Sequence, residues 1–257
     1  MITRRFDRAI RVFPIADVHY GAINHMSAEW ERFCEEILKD EDAYIILNGD
    51  IINNNTRSSV GLPFTDTVRP RDQKRYMCEC LAPLRERILC MTSGNHENRS
   101  SKDCDDSPAY DIACKLDLED VFRQDAAFLK LSLGTKYATD KYGDPAKVSY
   151  LLACTHGTGG GVLTGSTVNR NERWGNVMNA DCVIVGHTHK GTVTRPSRIV
   201  LDAQNNRVTM QDYVVVSCVS WQAYGEYSLQ KMLLPSTTAR PQVLWFNDKR
   251  KDIEVRW

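Results

Sequence analysis

The chain has 257 residues, 42 % hydrophobic and 26 % charged, the balance of an ordinary globular protein with room for one large domain or two small ones. Its 33 basic and 33 acidic side chains cancel, which excludes a global electrostatic footprint for nucleic acid or an anionic membrane surface. Nine cysteines form no CxxC pair, the start MITRRFDRAIRVF has no apolar signal region, and no apolar run approaches the ~20 residues of a membrane helix, so reduced thiols in a cytoplasmic protein are expected.

In chain order, Ala9–Asp17 reads as a strand. A helix capped by Ser27 follows, with Trp30, Phe33, Ile37 and Leu38 as its apolar stripe. Ala43–Asp50 is a buried-strand signal, and the polar run NNNTRSSVGLPFTD after it is a loop. A second helix starts near Asp72, with Tyr76, Cys80, Leu81 and Leu84 on one face, and Pro83 kinks or ends it. Arg87–Asn95 is the next strand. Ser107 and Pro108 fit the cap and first position of a helix that buries Ile112, Ala113 and Leu116.

The runs AFLKLSLG and KVSYLLACTHG read as strands joined by TKYATDKYGDPA. After CVIVGHTH, the turn signals QNNR, AYGE and NDKRK separate strand-like runs, which predicts β-hairpins. The first part is therefore β-α-β and the last third antiparallel, an α/β sandwich with mixed sheets. No Pro/Gly/Ser-rich linker divides 1–257, so a single domain is expected.

Five strand signals end in residues that bind metals: Asp17-Val18-His19, Gly49-Asp50, Gly94-Asn95-His96-Glu97, His156-Gly157 and Gly186-His187-Thr188-His189. Five of the six histidines fall there. In open α/β sheets the carboxyl ends of strands form the ligand crevice. In an extended chain residues i and i+2 share a side, so Asp17/His19 and His187/His189 can each aim into it as a pair. A lone His or GD is more often structural, and His25 is left so. The five together, each at a strand end, outweigh that reading. Nitrogen and oxygen donors suit manganese, iron, zinc or nickel. Their number is too large for one catalytic ion with open positions, so two ions sharing one carboxylate are expected.

The order DVH, GD, GNHE, THG, GHTH resembles the calcineurin-like metallophosphoesterase superfamily, over Asp17 to His189. The resemblance implies a four-layer α/β/β/α sandwich with two mixed β-sheets. By position it implies that Asp17, His19 and His189 hold one ion, that Asn95, His156 and His187 hold the other, and that Asp50 bridges them. His96 would stand beside the phosphate and assist the leaving group. The two divalent ions, manganese first, would clamp the phosphoryl group and activate a bridging water as a hydroxide for direct attack on phosphorus. GNHE also occurs in protein serine/threonine phosphatases, but their G-D-x-V-D-R-G stands here as GDIINNN, with Asn53 and Asn54 in place of Asp and Arg. The pattern looks more like the phosphodiesterase and nuclease branch, including bacterial and phage members. The expected substrate is a phosphate ester, a diester first, with nucleotides and nucleic acid in range. A DNA or RNA nuclease, a phosphomonoesterase and a metal-binding scaffold without catalysis are the alternatives. Arg99, Arg170 and Arg173 are candidates to meet substrate phosphate. Protein partners and the particular substrate are not encoded in any motif.

Overall fold

A computed structural model of the chain describes residues 1–57, 59, 66–134 and 147–257. The first half runs β1 (Ile2–Phe6), β2 (Ile10–Ile15), α1 (Ser27–Lys39), β3 (Ala43–Asn48), α2 (Pro70–Leu81), β4 (Ile88–Thr92), α3 (Glu97–Cys104), α4 (Pro108–Lys115), β5 (Phe122–Arg123) and β6 (Ala126–Leu133). The second half runs β7 (Val148–Thr155), α5 (Thr164–Asn176), β8 (Cys182–Val185), β9 (Thr192–Thr194), β10 (Ser197–Asp202), β11 (Arg207–Asp212), β12 (Val214–Ser217), α6 (Glu226–Gln230), β13 (Val243–Phe246) and β14 (Ile253–Arg256).

Among the described residues the strands form two six-stranded sheets, ordered β14-β13-β2-β3-β4-β5 and β1-β6-β7-β8-β12-β9, and a separate ribbon, β10-β11. Both large sheets are mixed. In the first, β2 to β5 are parallel, β13 runs against β2, and β14 runs against β13. In the second, β7, β8 and β12 are parallel, β1 and β6 are parallel to each other and run against β7, and β9 runs against β12.

The alternation of side chains along β8 and β12 shows how the layers stack. Cys182, Ile184, Val214 and Val216 join the large core that also holds Val12, Ile45, Leu47 and Met91 of the other sheet. Val183, Val185 and Val215 form a second cluster with Ala153 and Tyr213 on the opposite face, where α5 packs against β8 and β12. Helix α1 and the 3₁₀ turn Ala82–Arg87 pack on the outer side of β3, and α2 packs on α4. The order of layers is helices, sheet, sheet, helix, which is the expected four-layer sandwich.

Several elements differ from the sequence reading. Leu38 is 44 % exposed, and the stripe of α1 is Trp30, Phe33, Cys34 and Ile37. Ser27 is the first helical residue, and its side chain makes no capping bond. In α2 the buried positions are Gln73, Met77 and Leu81, with Tyr76 and Cys80 at the rim. Pro83 ends the α-helix by opening a 3₁₀ turn that buries Leu84. AYGE leads into the short α6 and makes no hairpin, while QNNR and NDKRK do join antiparallel strands. β1 was not anticipated: its Arg4 and Arg5 disguise a strand at the sheet edge, where charge is tolerated. The segment TKYATDKYGDPA at 135–146 and the part of the polar loop at 58 and 60–65 lie outside the described residues.

Candidate metal centre

β2, β3 and β4 of one sheet and β7 and β8 of the other deliver their carboxyl ends to one place. Asn48, the one polar residue in the apolar run of β3, is fully buried and fastens the two sheets there. Its Nδ2 donates to the carbonyls of Thr155 at 2.7 Å and Ile184 at 3.4 Å. Its Oδ1 accepts from Thr92 at 3.0 Å, and its carbonyl faces His156 Nδ1 at 2.9 Å. That bond puts the proton of neutral His156 on Nδ1 and turns the Nε2 lone pair to the cluster.

All seven candidate ligands meet. Asp17 Oδ1 lies 3.2 Å from His189 Nε2 and 3.7 Å from His19 Nε2. The two imidazole Nε2 atoms are 3.0 Å apart. Asp50 Oδ2 lies 3.1 Å from His156 Nε2 and 3.9 Å from His19 Nε2, between the two groups. Asn95 Oδ1 lies 3.1 Å from His156 Nε2 and 2.7 Å from His187 Nδ1. Asp17 Oδ1 and His19 Nδ1 are buried with no hydrogen-bond partner, an orphaning that protein interiors seldom leave unexplained. Buried carboxylate and imidazole atoms that face one another without donors between them fit a cation. The groups Asp17/His19/His189 and Asp50/His156/His187 each bring their atoms within 4.8 Å of one another.

The backbone reaches this geometry differently from the extended chain assumed from the spacing. Asp17, His19, Asp50, His187 and His189 all have positive φ, between 50° and 71°. Asp and His are among the side chains that tolerate this region, at a cost of about 1–3 kcal/mol each. The loops are therefore tight turns, and Asp17 Oδ2 locks one by accepting the His187 N–H at 2.9 Å. Each pair does aim inward, but through left-handed turns rather than strand alternation.

His96 stands at the edge of the cluster, its Nε2 3.8 Å from Asp50 Oδ2. Three consecutive asparagines hold it. The Asn53 carbonyl accepts from His96 Nδ1 at 2.7 Å and from Arg99 Nη1 at 3.0 Å. Asn54 Nδ2 donates to the His96 carbonyl at 2.8 Å, and Asn55 Oδ1 accepts from Arg99 Nη1 at 2.8 Å. Arg99 Nη2 reaches His96 Nε2 at 2.9 Å. Where a protein phosphatase would place a carboxylate behind the histidine, this chain offers a main-chain carbonyl. The Asn53 side chain turns away to Asp66 Oδ1, 2.7 Å off, which also takes Asn55 Nδ2 at 2.6 Å.

Burial sets the charges. It would raise both aspartates, but His189 and His19 around Asp17, and His156 and His96 around Asp50, more than offset it and hold both carboxyls well below the usual range. Burial pushes His156 down, yet the Asp50 carboxylate reverses this and lifts it to about 10. Burial lowers His19, His96 and His187. Glu97, beside His96, is raised to about 7 by burial and by Asp50.

Glu97 is a residue the motif reading passed over. Its Oε2 accepts the N–H groups of Asp50 at 2.9 Å and Gly94 at 2.8 Å, and its Oε1 that of Ile52 at 3.1 Å. It ties the second motif to the third. Asp66 and Asn48 were also missed, although an Asn inside an apolar run is a readable signal. Of the arginines, Arg99 reaches the site. Arg170 donates to the carbonyls of Thr158, Gly159 and Gly160 and so clasps the glycine loop after His156. Buried Lys190 holds the same loop through the Gly161 carbonyl. Arg173 is exposed on α5, and among the described residues no bond joins it to the cluster. His25 is structural, its Nδ1 2.9 Å from the Val18 carbonyl.

The sequence profile of the calcineurin-like phosphoesterases matches residues 10–191, and the chain belongs to that family. It is thereby a metal-dependent phosphoester hydrolase. No curated protein sequence matches it. Among solved structures, a metallophosphoesterase from Sphaerobacter thermophilus is 14 % identical over 93 % of this chain and 84 % of its own, with a TM-score of 0.42. The calcineurin-like phosphoesterase YfkN from Bacillus subtilis is 11 % identical over 97 % and 88 %, with a TM-score of 0.40. A conserved uncharacterized protein from Streptococcus pneumoniae TIGR4, described as a predicted phosphoesterase, is 12 % identical over 96 % and 88 %, with a TM-score of 0.37.

Proposed function

We propose that the chain hydrolyses phosphodiesters with two divalent ions held at this cluster. The observation that carries the reading is the convergence of seven donor atoms from five strand ends, in two groups that Asp50 Oδ2 adjoins. Asp17, His19 and His189 would hold one ion, and Asn95, His156 and His187 the other, with Asp50 shared. Manganese is the proposed ion, and iron, zinc or nickel suit the same donors. When bound, such ions polarise the phosphoryl group and lower the pKa of water, which supplies a nucleophile without a Ser or Cys.

The chain's own contribution centres on His96 and Arg99. With Nδ1 fixed on the Asn53 carbonyl, His96 presents Nε2 beside Asp50. There it would stabilise charge on the phosphoryl and leaving oxygens, and Arg99 would bind a phosphate oxygen. Arg170 is engaged with the loop, and Arg173 would meet only a substrate long enough to leave the cluster. The diester preference is supported by the G-H-x-H block and by Asn53 and Asn54 in place of the phosphatase Asp and Arg. Nucleotides and nucleic acid are the diesters in view. Strands from both chain ends complete the two sheets, which supports one catalytic domain over 1–257. Nine free cysteines support a reducing, cytoplasmic setting, and no helix of the described residues is long and apolar enough to cross a membrane.

The test is hydrolysis of bis-p-nitrophenyl phosphate and p-nitrophenyl phosphate by chelator-stripped protein before and after manganese is restored. The diester should be turned over only after restoration. Turnover of the monoester alone would overturn the diester reading. Turnover of neither ester with ions bound would favour the scaffold.

A further inference from the structure

The β10–β11 ribbon has its polarity reversed for an isolated chain. Its register pairs Ile199 with Met210 and Leu201 with Val208 on one face. The other face carries Arg198 opposite Gln211, Val200 opposite Thr209 and Asp202 opposite Arg207. A ribbon on a globular protein ordinarily turns its apolar face inward. Here the polar face is the anchored one. Arg198 donates to the carbonyls of Met178 and Ala180 and stacks over the Tyr213 ring at 4.2 Å, and Gln211 Nε2 bonds Asp181 Oδ1 at 2.9 Å. Asp202 closes the turn by accepting the N–H groups of Gln204 at 3.0 Å and Asn205 at 3.1 Å. The ribbon is thus fixed with its four aliphatic side chains outward, 67–76 % exposed.

We propose that this face docks on the same face of a second copy of the chain, across a two-fold axis. Three observations favour a copy over another occupant. The face offers no basic side chain to an anionic polymer, and its one carboxylate, Asp212, lies at the end of the ribbon with the Ser197 hydroxyl donating to it. A two-fold interface must complement itself, and a flat grid of two aliphatic pairs does so when stacked at the ~10 Å spacing of packed sheets. The four side chains expose on the order of 500 Å² per copy, in the range of the largest patches on monomers, and two such faces reach the ~1,000 Å² of a specific interface. Among the described residues neither strand pairs with a third, so the ribbon gains support from the contact.

Sedimentation velocity of the full chain over a concentration series tests this independently of catalysis. The wild type should be a dimer, and the double variant Leu201→Glu/Met210→Glu a folded monomer with unchanged ester turnover. Thr209→Glu, on the opposite face, should remain dimeric, which separates loss of the face from general damage to the ribbon. A wild type that stays monomeric up to about 100 μM overturns the proposal, whether another stretch of the chain or a different protein covers the face. A dimer that survives the double substitution, or one lost equally in Thr209→Glu, overturns it as well.

Discussion

Asp66 makes the sharpest case at the scale of single residues, because every side-chain partner it has is a donor. Its Oδ1 takes Asn53 and Asn55, and its Oδ2 takes Gln73 Nε2 at 3.0 Å. An amide there would set N–H against N–H in either orientation. Asp66→Asn should therefore cost about 1–3 kcal/mol and loosen the asparagines that position His96 and Arg99. Turnover should fall while ion content is kept, which kinetics and elemental analysis on one preparation would check. His96→Ala should likewise keep its ions and lose ~10²–10⁴-fold in turnover; equal turnover in a clean preparation would remove His96 from the chemistry. Asp50→Ala should lose ions and turnover together, since its Oδ2 stands between the two groups; retention of both ions would contradict the bridging role.

Elements explain why the site residues were easier to find than the pieces that carry them. The motifs stood out because Asp, Asn and His interrupt apolar runs, and those runs became β2, β3, β4, β7 and β8. Helices α3 and α5 have no counterpart in the elements read from the sequence. The buried stripe of α5 is Thr167, Asn171 and Gly175, spaced by four but small and polar, so a search for apolar periodicity passes over it. Gly175 is needed there because a Cβ would run into the Tyr213 ring. In α3 only Glu97 and Ser100 are buried, for the same blank result. The turns are held as tightly as the strands. Gly49, at φ +81°, passes so close to Gly94 that an added Cβ would lie 2.7 Å from its backbone. Gly49→Ala should displace Asp50, lowering both metal affinity and melting temperature. A variant with wild-type ion affinity by calorimetric titration would show that the turn tolerates the shift.

For the whole molecule, the balanced charge of the chain hides a concentrated centre in which two buried carboxylates face four imidazoles. Without ions, Asp50 keeps a proton on His156 up to about pH 10. An ion can use only the neutral imidazole, so binding at neutral pH must expel that proton, and affinity should rise with pH toward 10. Titration calorimetry in buffers of different ionisation enthalpy would detect the release; no buffer dependence would mean that His156 is already neutral. Ions that bind only the folded chain should also raise its melting temperature with concentration.

Ions and turnover counted on the same preparation give the most direct test of a two-ion esterase. Two divalent ions per chain are expected, with hydrolysis of bis-p-nitrophenyl phosphate that disappears on chelation and returns with manganese. Turnover that persists after the ions are gone, or a fully active protein holding a single ion, would contradict that expectation.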